Sequence, residues 1–141
     1  MFYLLINNFK RKLMKILKYW RPFLVGIIIF YGSVSSGESI NKVSFFKIAH
    51  SDKIVHFLFY FTLSISILAS LLKHSIISYK KLIVLTLIIA INYGILMELI
   101  QYYFTINRSA EIADGIFNTI GCVTGILIFH LLKKSKRFRF L

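Results

Sequence analysis

Acidic side chains are scarce. The 141-residue chain has five Asp and Glu against 18 Lys and Arg, and only 16% of it is charged. Soluble domains carry about 25% charged residues, so a soluble fold of this composition would have too little polar surface to face water. The single cysteine, Cys122, excludes an internal disulfide and offers no thiolate set for zinc. The single proline, Pro22, leaves the later apolar stretches without a helix breaker. No HExxH or paired-histidine spacing occurs, nor a glycine-rich phosphate loop or nucleophile elbow. Zinc hydrolase, P-loop and serine-hydrolase chemistry therefore have no foothold, and no cofactor signature is present.

What is abundant is hydrophobic surface, 57% of residues, gathered into four runs. A bilayer needs about 20 apolar residues per helix, and runs near 19–35, 54–72, 82–104 and 112–132 meet or approach that length. The expected architecture is all-α: one membrane domain over 1–141, a bundle of four transmembrane helices. Pro22 falls in the first turn of the first span, where its missing N–H costs nothing. That span also resembles a signal peptide, with Gly32 to Gly37 as a small-residue exit. The long basic leader and three following spans favour a retained anchor. Residues 1–17 are compatible with an amphipathic surface helix or with a leader that only fixes topology.

The net charge of +13 does not point to nucleic acid. Lys and Arg cluster at the ends of apolar runs: six in the leader, three between the second and third spans, and five in the tail. That distribution suits anionic headgroups. All the acids fall at the other side or its boundary. The positive-inside rule then places both termini and the loop between the second and third spans in the cytoplasm.

A polar seam interrupts the apolar pattern at the outward side. In the second span Asp52, His56 and Tyr60 are spaced i, i+4, i+8 and share one helical face with Ser64; Lys53 lies beside them. Ser51 and Asp52 suit a helix start and Lys53 suits snorkelling, but neither explains His56 and Tyr60 continuing the stripe inward. In the third span Glu98 is followed by Gln101, with Asn92 and Gly94 on related faces. A charge at mid-bilayer costs about 2.5–3.5 kcal/mol and survives by pairing or by facing a cavity. At the fourth span stand Arg108, Glu111, Asp114 and Asn118, and the Asp114–Asn118 face continues through Gly121, Cys122 and Gly125. The small-xxx-small step of Gly121 and Gly125 turns that face toward another helix. Topology alone brings the three groups to one depth. His56, Glu98 and Asp114 are plausible metal-ligand types, but Lys53 and Arg108 beside them oppose a cation, and no metal is expected.

Asp52-Lys53-Ile54-Val55-His56 with Tyr60 resembles the D-K-x-x-H segment of VanZ-like membrane proteins. Glu98-Leu99-Ile100-Gln101 resembles their E-x-x-Q, and Arg108, Asp114, Asn118, Gly121 and Gly125 resemble their R…D…N…G…G run. The resemblance implies a small bacterial inner-membrane protein of the cell envelope. The founding member of that family is associated with low-level teicoplanin resistance.

Three functions compete. The first is binding of an envelope lipid, a lipid-linked precursor or a lipophilic glycopeptide, with Lys53 and Arg108 holding anionic groups and Tyr60, Gln101 and Asn118 giving neutral hydrogen bonds. The second is an enzyme acting on such a lipid, with His56 and Glu98 as the candidate acid–base pair. The third is a structural accessory protein whose seam only locks helices together. Transport would need more pathway than four spans enclose unless the chain forms a homo-oligomer.

Overall fold

The structure, a computed structural model, describes residues 6, 18–34, 51–105 and 111–133. The leader proposed for a surface helix apart from Ile6, the polar connection after the first span up to Ser51, Arg108 and the basic tail beyond Lys133 lie outside the described residues. Among the described residues four helices have their bounds defined: α1 Trp20–Val34, α2 Ser51–His74, α3 Tyr79–Phe104 and α4 Ile112–Lys133. The described residues contain no strand. α2, α3 and α4 are long and apolar enough to cross a membrane, and α1, at 15 residues, is a shorter apolar helix. The helices outrun the apolar runs: α2 begins at Ser51 rather than Ile54, and α3 at Tyr79 rather than Leu82. Lys53, Lys80 and Lys81 propagate a helix about as readily as leucine, and Asp52 in the first turn suits the positive end of α2.

Large side chains that a soluble protein would hide stand on the outer surface. Phe23 is 71% exposed and Ile112 87%, with Ile54, Leu58, Val84 and Ile95 about half exposed. Lipid is the solvent that makes this arrangement stable.

α2 is the hub and packs against all three other helices, most extensively against α4. These two run parallel, because the start of α2 and the start of α4 meet through side chains described below. Phe57 and Phe61 of α2 lie against Gly121 and Gly125 of α4, two pairs at matching i, i+4 spacing. A Cβ at Gly121 would collide with the Phe57 carbonyl oxygen, and one at Gly125 with Ser64 Oγ and the Phe61 carbonyl. Small residues allow the two backbones to touch, and in lipid, where apolar burial gives little, such packing holds helices together. Ser64 is fully buried and satisfies itself by donating to the Phe61 carbonyl at 2.9 Å.

The core has two parts. Ile29, Tyr60, Leu63, Ile67, Ala90, Met97 and Cys122 fill the middle, where all four helices converge. Leu68, Leu82, Ile126 and Phe129 fill the end where α2 finishes and α3 begins. At that end Tyr19 meets His74 edge-on at 5.8 Å, and Tyr79 stacks on His130 at 5.7 Å with Lys133 Nζ 3.9 Å from its centroid. This is the basic end of the bundle, and the opposite end carries the acids.

The short helix α1 is tied to α3 by a hydrogen bond, Tyr93 Oη donating to the Gly26 carbonyl at 2.6 Å. Tyr93→Phe is expected to cost about 0.6–1.5 kcal/mol, the range for such bonds in membranes and in water. Thermal unfolding in detergent reads it; an unchanged midpoint would mean α1 docks by packing alone.

Candidate functional site

Seam residues converge at the acidic end. His56, Tyr60 and Ser64 are buried on one face of α2 with Asp52 and Lys53 one turn before, as a 3.6-residue period requires. Gln101, Asp114 and Asn118 are also buried. Eight residues of the expected constellation thus meet: Asp52, Lys53, His56, Tyr60, Glu98, Glu111, Asp114 and Asn118, with Gln101 one turn from Glu98 on α3.

Lys53 is the centre of charge. Its Nζ donates to Glu111 Oε2 at 2.6 Å, Asp114 Oδ1 at 2.8 Å and Asp52 Oδ2 at 2.9 Å. An ammonium has three N–H donors, and each has a carboxylate of the chain itself. A ligand anion would have to displace one of them. Glu111 directly precedes α4. Its backbone carbonyl accepts from the Asp114 N–H at 3.0 Å while its carboxylate turns to Lys53, so it ties α4 to α2 rather than capping α4 with its side chain.

Deeper in, a neutral and an acidic group bracket the imidazole. His56 Nδ1 is 3.0 Å from Asn118 Oδ1, Asn118 Nδ2 donates to Glu98 Oε1 at 3.4 Å, and His56 Nδ1 lies 3.8 Å from that same oxygen. Because the Asn118 amide nitrogen faces Glu98, its oxygen accepts from His56, which places the imidazole proton on Nδ1. The Tyr60 ring lies against Gly94, where a Cβ would come 3.3 Å from Tyr60 Cε1 and 3.5 Å from Asn118 Nδ2. Tyr60 Oη and Gln101 Nε2 are buried and have no hydrogen-bond partner among the described residues. Asn92, grouped with Glu98 by spacing, is instead exposed and bonds its own helix at the Ile88 carbonyl.

The donor atoms of His56, Glu98 and Asp114 lie within 4.8 Å of one another, as do those of Asp52, Glu111 and Asp114. Either set offers nitrogen and oxygen ligands of the type a divalent cation takes. The ammonium of Lys53 already supplies a positive charge in their midst.

The cluster opens onto a groove between α3 and α4 of about 810 Å³. Ile95, Leu99, Ile112, Ile116 and Ile120 make its apolar walls, Tyr102 and Tyr103 flank it, and Glu98 and Glu111 give it acidic points. Sequence reasoning missed this groove, because its isoleucines and leucines look like any lipid-facing position. It also left the salt bridge of Glu111 unseen. The alternation of Ile95, Leu99 and Tyr102 with Glu98 on one helix was the available signal.

No curated protein and no solved structure matches the chain. The family model described as VanZ/LLP1 matches residues 14–133, a stretch that contains all four helices and the whole described cluster, and the chain therefore belongs to the VanZ/LLP1 family of membrane proteins.

Proposed function

We propose that the chain is a multi-pass protein of the bacterial cytoplasmic membrane, both termini inside, that takes an amphiphilic envelope molecule at its outward acidic end. An acyl or isoprenoid chain would lie along Ile95, Leu99, Ile116 and Ile120, and a headgroup bearing hydroxyl or amine donors would meet Glu98 and Glu111. The observation that carries this reading is a groove whose apolar walls lead to carboxylates, the layout expected of a site for a lipid with a polar head. The excess of Lys and Arg at the other end supports the orientation. A lipid, a lipid-linked precursor and a lipophilic glycopeptide such as teicoplanin all have this amphiphilic form. The family's association with teicoplanin resistance favours the last as a first probe.

The test is an expression-matched comparison of wild type and Glu98→Ala in a sensitive host. Wild type is expected to raise the minimum inhibitory concentration of teicoplanin more than that of vancomycin or a detergent-like control. Glu98→Ala should return it to the level of the empty host. Equal protection by both proteins at equal membrane abundance would make Glu98 a structural residue for this phenotype.

One observation favours an enzymatic reading: His56 and Glu98 stand 3.8 Å apart, joined through Asn118, an arrangement able to hold and pass a proton. Conversion of a supplied envelope lipid by purified protein, abolished in His56→Ala, would establish it. Lipid binding without conversion would leave the binding reading alone.

A further inference from the structure

The basic end holds a second concavity, separate from the seam and independent of the function proposed for it. A cavity of about 60 Å³ lies between the start of α1 and the end of α2, lined by Lys18, Trp20, Arg21, Ser70, Lys73 and His74, with Ala69 completing the wall. A cavity of about 10–15 Å³ already holds one water, so the space is large enough for a small oxyanion. Ser70, 5% exposed, brings a hydroxyl to it.

Electrostatics favour an anion there from both elements. A helix N-terminus presents unpaired N–H groups and about half a positive charge, which acidic residues usually offset. The first turn of α1 has no acid; it has Arg21, with Lys18 just before it. These cations therefore stand where the helix favours the opposite sign. Lys73 and His74 add to them from the last turn of α2, brought close by the edge contact of Tyr19 with His74 at 5.8 Å. Nothing described nearby compensates. Asp52, Glu98, Glu111 and Asp114 are all at or near the other end of the bundle, and Lys18, Arg21 and Lys73 form no ion pair among the described residues. Arg21 rests over the Trp20 ring at 5.8 Å. A cation–π contact at this distance leaves the guanidinium N–H groups free for bidentate contact with an oxyanion.

We propose that Lys18, Arg21, Lys73 and His74 form a phosphate-recognition site, filled by the phosphate of an anionic lipid headgroup or by free phosphate. Arg21 supplies the bidentate contact, Lys18 and Lys73 the point charges, and Ser70 a neutral donor.

The experiment measures binding of phosphatidic acid, phosphatidylglycerol and inorganic phosphate to the full chain in neutral detergent by native mass spectrometry and calorimetry. Wild type is compared with Arg21→Gln/Lys73→Gln and with Lys80→Gln/Lys81→Gln, which removes the same charge from a different hollow at the same end. Charges more than about 8 Å apart are largely screened at 0.15 M salt, so the two pairs separate a site from diffuse attraction. The Arg21/Lys73 pair is expected to lose about tenfold or more in affinity, the loss of charge-assisted bonds. The Lys80/Lys81 pair should lose no more than about twofold. Should the Arg21/Lys73 pair fail to fold, Lys18→Gln and the charge-retaining Arg21→Lys are read instead, with a large and a partial loss expected. Displacement of lipid by millimolar phosphate would name free phosphate as an occupant; lipid binding that phosphate does not disturb would name the headgroup. Both uphold phosphate recognition. Equal losses in the two glutamine pairs, or no probe bound by wild type, would overturn it.

Discussion

Lys53→Met is expected to cost about 1–3 kcal/mol of stability, between the small loss of a surface pair and the roughly 3–5 kcal/mol of a fully buried one. Methionine keeps most of the unbranched stem, so packing changes little while the charge disappears. Left behind are the carboxylates of Asp52, Glu111 and Asp114, all within 2.9 Å of where the ammonium stood. Asp114 suffers most, because its side chain is only 8% exposed. The Asp52 and Glu111 side chains are 44% and 52% exposed, and their share is screened by solvent. The effect reads out as lost folded yield and a lowered unfolding midpoint in detergent. Lys53→Met/Asp114→Asn should recover most of it, since the carboxylate left unpaired is then neutral. A single variant as stable as wild type would show that the network contributes nothing to folding.

Gly121→Val attacks the bundle from another side. Any Cβ at this position meets the Phe57 carbonyl oxygen and comes 3.1 Å from the Phe61 nitrogen. These are backbone atoms of a helix and cannot rotate away, so α2 and α4 must separate. Overpacking of this kind costs about 1–3 kcal/mol and occasionally more. Valine, which fills a larger volume, should lie at or beyond the upper end, and alanine nearer the lower. Gly115 of the same helix is the control: a Cβ there meets nothing within 4 Å. Gly115→Ala should be neutral or stabilise by up to about 1 kcal/mol, the helix-interior gain of alanine over glycine. If Gly121→Val and Gly115→Ala shift the unfolding midpoint alike, the α2–α4 contact is not the tight one described. The site would move too, because Lys53 and His56 ride on α2 while Asp114 and Asn118 ride on α4.

Much of this was legible in the residues. The i, i+4, i+8 spacing of Asp52, His56 and Tyr60 foretold one face, and the Gly121–Gly125 step foretold which side of the fourth helix turns inward. Lys53 was harder. Its sequence position fits a snorkelling lysine or an anion grip, and only the parallel pairing of α2 with α4 reveals that the anions it holds are Asp52, Glu111 and Asp114. The shared direction of the second and fourth spans follows from their alternation across the membrane, but that they are direct neighbours is a long-range fact that no local spacing encodes. Asn92 failed for a related reason: a shared helical face does not say which sector of it a neighbour covers. The apolar groove was hard to read, its one signal being Glu98 among Ile95, Leu99 and Tyr102, because Ile, Leu and Tyr serve a ligand and a lipid tail equally well. The helix ends overran the apolar runs since hydropathy marks what lipid tolerates, not where hydrogen bonding stops.

The groove between α3 and α4 has a consequence for how any occupant would be counted. Its apolar walls are exposed side chains of two membrane-length helices, so the amphiphile proposed above would enter it sideways, from the leaflet. Occupancy would then follow the surface density of the amphiphile within the membrane and not its concentration in the surrounding buffer. Two preparations with the same total ligand would differ in saturation if one contained more lipid, because the extra bilayer dilutes the ligand in two dimensions. Titrations should therefore collapse onto one curve only when plotted against mole fraction.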